Sequence, residues 1–528
     1  MSEKLETKVE IGNITPGFLN RIILNDLTLN DRQGVQMLKV SRISASISYL
    51  ELMRGNIVLP TAQLFSPTAI LYRDSIGAEP NYQFLVDAFQ SDENKEPTQL
   101  NLRINSFILR HANISYDVKN QPHTDSIAAA PDGVPIYSFD HLHISLKDAG
   151  MNVSIKALSN DSLNLSIKRL STSELNSKLS VEELSLALEA NKRNAWLTDF
   201  RLKMPHSTLA IESLRIYYPE YEENGTFSID TTSVTAMLTP ADFKSLLPTL
   251  KAAYSPLHLQ AKLSGNSNQL TAHQLHIANT TGDIRLNATA TATMRDGGVK
   301  TASAYISDLH ATTDGLHQLF ADLQLDEEKL RPLFTLETID YTGSIDYTPT
   351  ETRSEGKLLT QAGNLDYQAS IDTTRTITAH ILGNELQLGT IFENENYGTA
   401  NIDLDARGTT HKLLAATGKV DVLSDAIDVQ TEVDYHHSNG LHDLRLNLDA
   451  NNFNPHALAL TKGFQGEQYQ FSLETHLTGN SIDDVTGHAR LYDVQMQADT
   501  TTLDLNAINL NIEKTATDET HYSIESDF

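Results

Sequence analysis

One six-residue pattern constrains this chain more than any other. In Leu24-Asn25-Asp26-Leu27-Thr28-Leu29 a pair of polar residues separates two apolar ones, and strict alternation follows. The pattern returns at Val40–Ala45, Ile104–Leu109, Phe139–Ile144, Val181–Leu186, Ile211–Ile216, Ala272–Ile277 and Ile306–Ala311. Alternate residues of a strand face the same side, so apolar-polar-apolar is a half-buried strand. The doubled polar pair displaces that alternation by one residue. A bulge or short bend does this while keeping the apolar side inward. The copies are irregularly spaced, which predicts a repeated β unit and not a strict-period solenoid.

With 528 residues, the chain is long enough for roughly three to four compact domains. Its formal charge of −28 repels phosphate backbones and anionic leaflets, and its plainest meaning is a solvated outer face. Cysteine is absent, which removes disulfides, zinc-thiolate sites and thiol catalysis. The stretch Met1–Lys8 has no apolar core of the signal-peptide kind. No apolar run reaches the length of a membrane-spanning helix, so the chain reads as soluble.

Taken in order, residues 1–80 read as an N-terminal β unit with strands over 21–29, 35–50, 55–65 and 68–73. Pro60 and Pro67 fall at strand ends. Residues 81–98 read as a short helix capped by Asn81, then a charged linker from Ser91 to Pro97. Strands fill 99–238, with a proline-bearing loop over 119–135. Thr239-Pro240 opens a helical insert over 239–256, with Phe243, Leu246, Leu247 and Leu250 on one face and a kink expected at Pro248. Residues 257–311 are strands again. A second helical insert spans 312–335, with Leu316, Leu319, Phe320 and Leu323 on one stripe. From 336 to 528 the chain is almost wholly strand and stops in mid-pattern, as a truncated piece would. In that stretch Ile339-Asp340-Tyr341, Ile345-Asp346-Tyr347, Leu365-Asp366-Tyr367 and Val433-Asp434-Tyr435 are near copies, and Asn439-Gly440 marks a hairpin. The fold class is all-β with a few short helices, on the order of 35–40 strands of about ten residues, and so many strands must close, fold over or coil.

Little here supports catalysis. The chain has no nucleophile elbow, phosphate-binding loop, dinucleotide fingerprint or zinc-protease motif. Asp403-Leu404-Asp405 begins like a calcium loop, but Arg407 stands where a ligand is needed. His141 with His143, and His436 with His437, are metal candidates by spacing alone. Without a third ligand nearby, outward polar positions beside inward Leu142 and Ile144 explain the first pair better. No carboxylate stands in an apolar context that would tune it. Neither an enzyme nor a cofactor nor a bound metal is expected.

The residues 22–31, 38–47, 52–57 and 62–73 together resemble the N-terminal unit of the AsmA-like/TamB family of bacterial envelope proteins, members of the repeating β-groove, bridge-like lipid-transfer class. The helix at 239–254 leading into Leu257–Gly265, and Leu386–Gly389 followed by Tyr397–Leu404, are similar to that family's helix-then-strand inserts. Two departures stand out: an N-terminal inner-membrane helix is missing, and so is the C-terminal outer-membrane-facing module. The resemblance implies an elongated, continuous curled antiparallel sheet forming a U-shaped hydrophobic groove. It further implies a periplasmic location, with the parent protein anchored in the inner membrane. The function it implies is passive phospholipid transport between inner and outer membranes, with acyl chains sliding along the groove. The best alternating strands nominate Leu142, Ile144, Leu184, Leu186, Leu214, Ile216, Leu446 and Leu448 as groove lining. The rival reading is an envelope assembly scaffold for outer-membrane β-barrel proteins. A glycan-binding sandwich array is disfavoured by the single Trp196. No nucleic-acid partner is expected.

Overall fold

The structure is a computed structural model that describes residues 7–18, 20–53, 57–89, 102–122, 128–129, 135–136, 138–159, 162–219, 227–246, 255–295, 298–323, 334–409, 412–458, 467–481, 484–498, 501–514 and 520–526. It divides into two units, residues 1–280 with 322–324, and residues 281–321 with 325–528. Both are built from an open, almost wholly antiparallel sheet in which the long strands pair in chain order, and neither sheet closes into a barrel. The fold is all-β, as the alternation predicts.

In the first unit the strands Val9–Gly17, Arg21–Asn30, Gln36–Ser46 and Thr61–Arg73 pair in order. The next pairing, Thr61–Arg73 with Ser106–Val118, is parallel and departs from the all-antiparallel expectation. A parallel pair needs a long crossover. The connecting segment includes the helix Gln83–Phe89, whose Phe84 packs on Leu29 and Met37 in a small core flanked by Leu38, Leu71 and Leu85. Antiparallel pairing then continues from His143–Ser159 to Gln269–Asn279. In the second unit it runs from Ile284–Arg295 to Thr520–Ser526.

The repeated pattern does what its spacing predicts. Leu24 pairs with Ile43 and Leu27 with Val40, so both strands change parity at the same row. That row runs through Gly12, Asp26, Ser41, Ser66 and His111. Asp26, Ser66 and His111 take positive φ values of 56°, 49° and 54°. A left-handed residue inside a strand bends it and re-aims its side chains, so an aligned row of them curls the sheet along one line. His273 and Ser307 are the extra residues where the copies at 272–277 and 306–311 bulge. Two copies behave otherwise. Asn105 falls between the strands Leu102–Ile104 and Ser106–Val118, and Phe139–Leu142 lie ahead of the strand that begins at His143.

Within each unit the two rims of the sheet differ. One rim carries the helices Gln83–Phe89 and Pro240–Phe243 in the first unit, and Thr313–Leu323 and Leu388–Ile391 in the second. The buried residues gather there, as in Ala311, Leu336, Ile339 and Ala362 with Leu316 and Ile391 packed against them. The opposite rim is mostly tight connections. At one of them Asn439 and Gly440 have φ of 51° and 85°, the mirror-image turn that fits strand twist.

Several local expectations are corrected. Residues 49–53 form a helix, Tyr49–Met53, and do not extend the preceding strand. Thr61–Arg73 is one strand, with Pro67 inside it, paired with Val40 next to the bend row. Asn81 does not cap its helix: its side chain accepts from Tyr72 N–H at 3.0 Å and donates to Ile70 C=O at 3.0 Å, tying the chain back to the strand. Thr239 precedes the helix Pro240–Phe243 but caps nothing, because its hydroxyl donates to His206 C=O at 2.9 Å. Leu247, Pro248 and Leu250, the charged linker from Ser91 to Pro97, and most of the loop 119–135 lie outside the described residues.

Candidate functional site

The feature that could act on a ligand is one whole side of the sheet. In the second unit, Tyr341 pairs with Leu358, Leu358 with Leu365, Leu365 with Gly383, and Gly383 with Ile402. Ile402 pairs with Val420, and Val420 with Thr431. The row ends Thr431, Leu448, Leu473, Leu491, Ile508. Parallel rows run beside it, such as Tyr435, Leu444, Leu477 and Val433, Leu446, Thr475. In the first unit the matching row runs Ile167, Leu186 on one strand pair and Leu188, Leu197, Leu214 across the next.

The other side of the same strands is polar, and cross-strand ion pairs tie it together. Lys357 meets Asp366 at 3.0 Å, His310 meets Asp340 at 2.6 Å, and His380 meets Asp405 at 2.9 Å. The hydrogen bond from Arg285 holds the Asp308 carboxyl below the usual range, with Asn287 helping. Contact with Glu432 raises the Lys419 ammonium in the same way. Clefts of about 770 Å³ around Arg353, Glu355, His380, Asp405 and Arg407, and about 520 Å³ around Glu183, Arg201, Lys203 and His258, both lie on this polar side. Their charges are of both signs and largely paired, as on an ordinary wetted surface.

The apolar side is only half covered. Ile144, Leu184, Leu186, Leu214, Ile216, Leu446 and Leu448 all lie on it and are half-buried, touching same-face neighbours without being sealed. Leu142, also half-buried, sits in the turn before its strand and outside the ladder. Full burial is commonest near the helical rim, as at Ala400, Val429 and Ala450, and is reached elsewhere mainly by small residues such as Ala62 and Ala416. The chain exposes 32331 Å², whereas two compact bodies of half its mass would expose about 23,000 Å² in all. A half-exposed Leu or Ile leaves about 1 kcal/mol of burial unrealised, and rows of them favour an apolar partner.

Two polar islands interrupt the apolar side. The hydroxyls of Tyr341 and Tyr367 lie 2.9 Å apart, and Ser354 Oγ is 2.8 Å from the second. Burial, with the Tyr367 hydrogen bond adding to it, pushes the Tyr341 phenol up to about 12. The Tyr341 ring lies over Gly356, where a Cβ would come within 2.5 Å of it. Near the hairpin rim Tyr435 Oη is 2.7 Å from His442 Nδ1, and the His442 ring stacks on His437 at 4.0 Å. Burial and then His442 lower the His437 pKa. The near copies of apolar-Asp-Tyr in the sequence carried this signal: each Tyr falls on the apolar side and each Asp on the polar side.

The histidine candidates separate. His436 and His437 are consecutive strand residues and so face opposite sides; His436 pairs with Asp434 at 2.9 Å. His143 is not an outward polar position. It is 3% exposed, with Asp140 2.8 Å from its Nδ1 and Asp117 3.4 Å from its Nε2. Burial depresses its pKa, but those carboxylates outweigh burial and leave it raised. Among the described residues no three His, Asp or Glu side chains gather as a metal site would require, and no helix is long and apolar enough to cross a membrane. No family model, curated protein or solved structure matches the chain.

Proposed function

We propose that the apolar side of this sheet carries phospholipid acyl chains, as a passive conduit in the periplasm between inner and outer membranes. One observation carries the reading. Leu, Ile, Val and Tyr stand in register across strand after strand, half-exposed, while the reverse side is charged. Such a strip solvates hydrocarbon without selecting a single molecule, and headgroups can remain in water beside it. No catalytic residue and no cofactor enter this reading. The periplasmic setting rests on the sequence resemblance.

The test is native mass spectrometry with lipid extraction on protein purified without detergent. Several phospholipids per chain support the conduit. A folded, monomeric and lipid-free protein overturns it and moves the function toward an assembly scaffold for outer-membrane β-barrels.

A further inference from the structure

Three hydroxyl groups stand together on the apolar side of the second unit. The Tyr341 and Tyr367 hydroxyls are 2.9 Å apart, and Ser354 Oγ lies 2.8 Å from the Tyr367 oxygen. They come from three consecutive strands, Thr338–Tyr347, Glu351–Thr360 and Gly363–Asp372, and all three residues are half-buried. Their direct cross-strand partners are Leu309 and Leu358, Gly356 and Ile381, and Ile345 and Ala369. None of these carries a charge.

The backbone is shaped for this group. Gly343 and Gly356 face each other across the first two of these strands. Glycine inside a strand weakens it, and often marks a place where something must approach the backbone closely. Here that something is the Tyr341 ring. A Cβ on Gly356 would come within 2.5 Å of it, and one on Gly343 would strike its hydroxyl. The missing side chains let the ring lie against the sheet, so that its hydroxyl reaches Tyr367.

A count of protons identifies what the trio lacks. Two hydrogen bonds join three hydroxyls and use two of their three O–H protons. Whichever way those bonds run, one donor is left over. Burial, and then Tyr367, outweigh Ser354 and raise the Tyr341 pKa to about 12, so that phenol stays protonated near neutral pH. A spare donor on a hydrocarbon surface favours an acceptor oxygen that is itself carried on hydrocarbon. With no cation beside it, a phosphate or free carboxylate would keep an uncompensated charge, whereas a neutral carbonyl would not.

We propose that Tyr341, Tyr367 and Ser354 form a binding station for the ester carbonyl that joins an acyl chain to its lipid. The station rests on the conduit reading and adds a chemical preference to it: the chain lies along the apolar side while its carbonyl oxygen accepts from the spare hydroxyl.

The test offers the full chain an equimolar mixture of two phosphatidylcholines with the same chains, one ester-linked and one ether-linked. Only the first has carbonyls. Mass spectrometry reads which is bound at loadings below one lipid per chain. The wild type takes up the ester form about threefold to tenfold more, the worth of one hydrogen bond. Tyr341→Phe/Tyr367→Phe/Ser354→Ala binds both equally with an unchanged melting temperature. Among the described residues these hydroxyls bond only to one another, so removing all three orphans no partner. The infrared band of the bound ester carbonyl lies at lower frequency on the wild type than on the triple variant. The station is overturned and the conduit kept if the wild type binds both lipids equally, if the triple variant retains the preference, or if the band does not move. A free fatty acid that displaces the ester lipid at equal concentration overturns the choice of a neutral carbonyl. If neither phosphatidylcholine is bound, the conduit falls and the station with it.

Discussion

The Tyr72 hydroxyl donates to Oδ2 of Asp31 at 2.7 Å, joining two strands through a pair of side chains that are both almost wholly buried. The other carboxylate oxygen accepts the N–H groups of Gln33 and Val35, both at 2.9 Å, and so shapes the turn between the second and third strands. Removing the phenol leaves one buried oxygen without its donor, so Tyr72→Phe should cost about 1–3 kcal/mol. Burial first, then Asp31, pushes the Tyr72 pKa up to about 12 from 10.0. Above pH 10 the unfolded phenol ionises while the folded one stays protonated, so stability present below pH 10 is lost as pH rises toward 12. Melting curves against pH should show this alkaline loss in the wild type and a smaller one in Tyr72→Phe. Identical alkaline limbs would refute the assignment.

A second buried carboxylate works in the opposite direction on the acid side. Burial penalises the charge of Glu174, yet Ser177 Oγ and N–H, each at 2.6 Å, and Ser145 N–H at 2.8 Å outweigh that, with Asn176 N–H also contributing. Its pKa is held below the ordinary 4.5. The stability it contributes is therefore present above pH 4.5 and lost as pH falls through the lower folded value. His143, raised from 6.5, does the reverse: its contribution is present below pH 6.5 and lost as pH rises through the folded value. Glu174→Gln should lower the melting temperature at neutral pH and converge on the wild type in acid. A difference independent of pH would show that the carboxylate's charge is not what matters.

The bend row can be tested through its backbone. Asp26 holds φ of 56°, with Gly12 opposite it close enough that a Cβ there would sit 3.1 Å from the Asp26 Cβ. Asp26→Gly removes the left-handed penalty and should leave stability unchanged or slightly raised. Asp26→Val forces a β-branched residue into that region at about 1–2 kcal/mol. The melting temperatures should therefore rank Gly at or above Asp, and Val below. Equal values for Gly and Val would mean that the bend does not depend on this residue's φ.

Much of this was legible because a strand's period is two. Leu24-Asn25-Asp26-Leu27 announced both the face and the bend, and Leu446 and Leu448 announced the apolar side. What stayed hidden depends on contacts between distant residues. His143 looked like an outward polar residue until Asp117 and Asp140 were brought beside it. Asn81 has the chemistry of a helix cap, but the neighbouring strand's Tyr72 N–H claims its oxygen. Tyr49 and Leu50 read as the tail of a strand and no helix was expected at 49–53, although Leu, Glu and Met favour one, a signal that was present and outweighed. The parallel pairing of Thr61–Arg73 with Ser106–Val118 has no local signature, since it is decided by the crossover between them.

The strongest demand of the proposed function is that side matters and position along the strand does not. Leu446 and Leu448 face the apolar side, paired with Val433 and Thr431, while Asn447 between them faces the polar side, paired with Glu432. Leu446→Asp/Leu448→Asp puts two charges where acyl chains would lie, and both positions are half-buried, so water can reach them and the sheet should still form. Asn447→Asp adds a charge of the same kind within the same strand but on the wetted side. Phospholipid recovered per chain should fall for the double variant and stay at the wild-type level for Asn447→Asp, with circular dichroism confirming that both remain β-rich. Equal loss in both would mean that lipid follows net charge and not the apolar side. No loss in either would place the lipid elsewhere on the molecule.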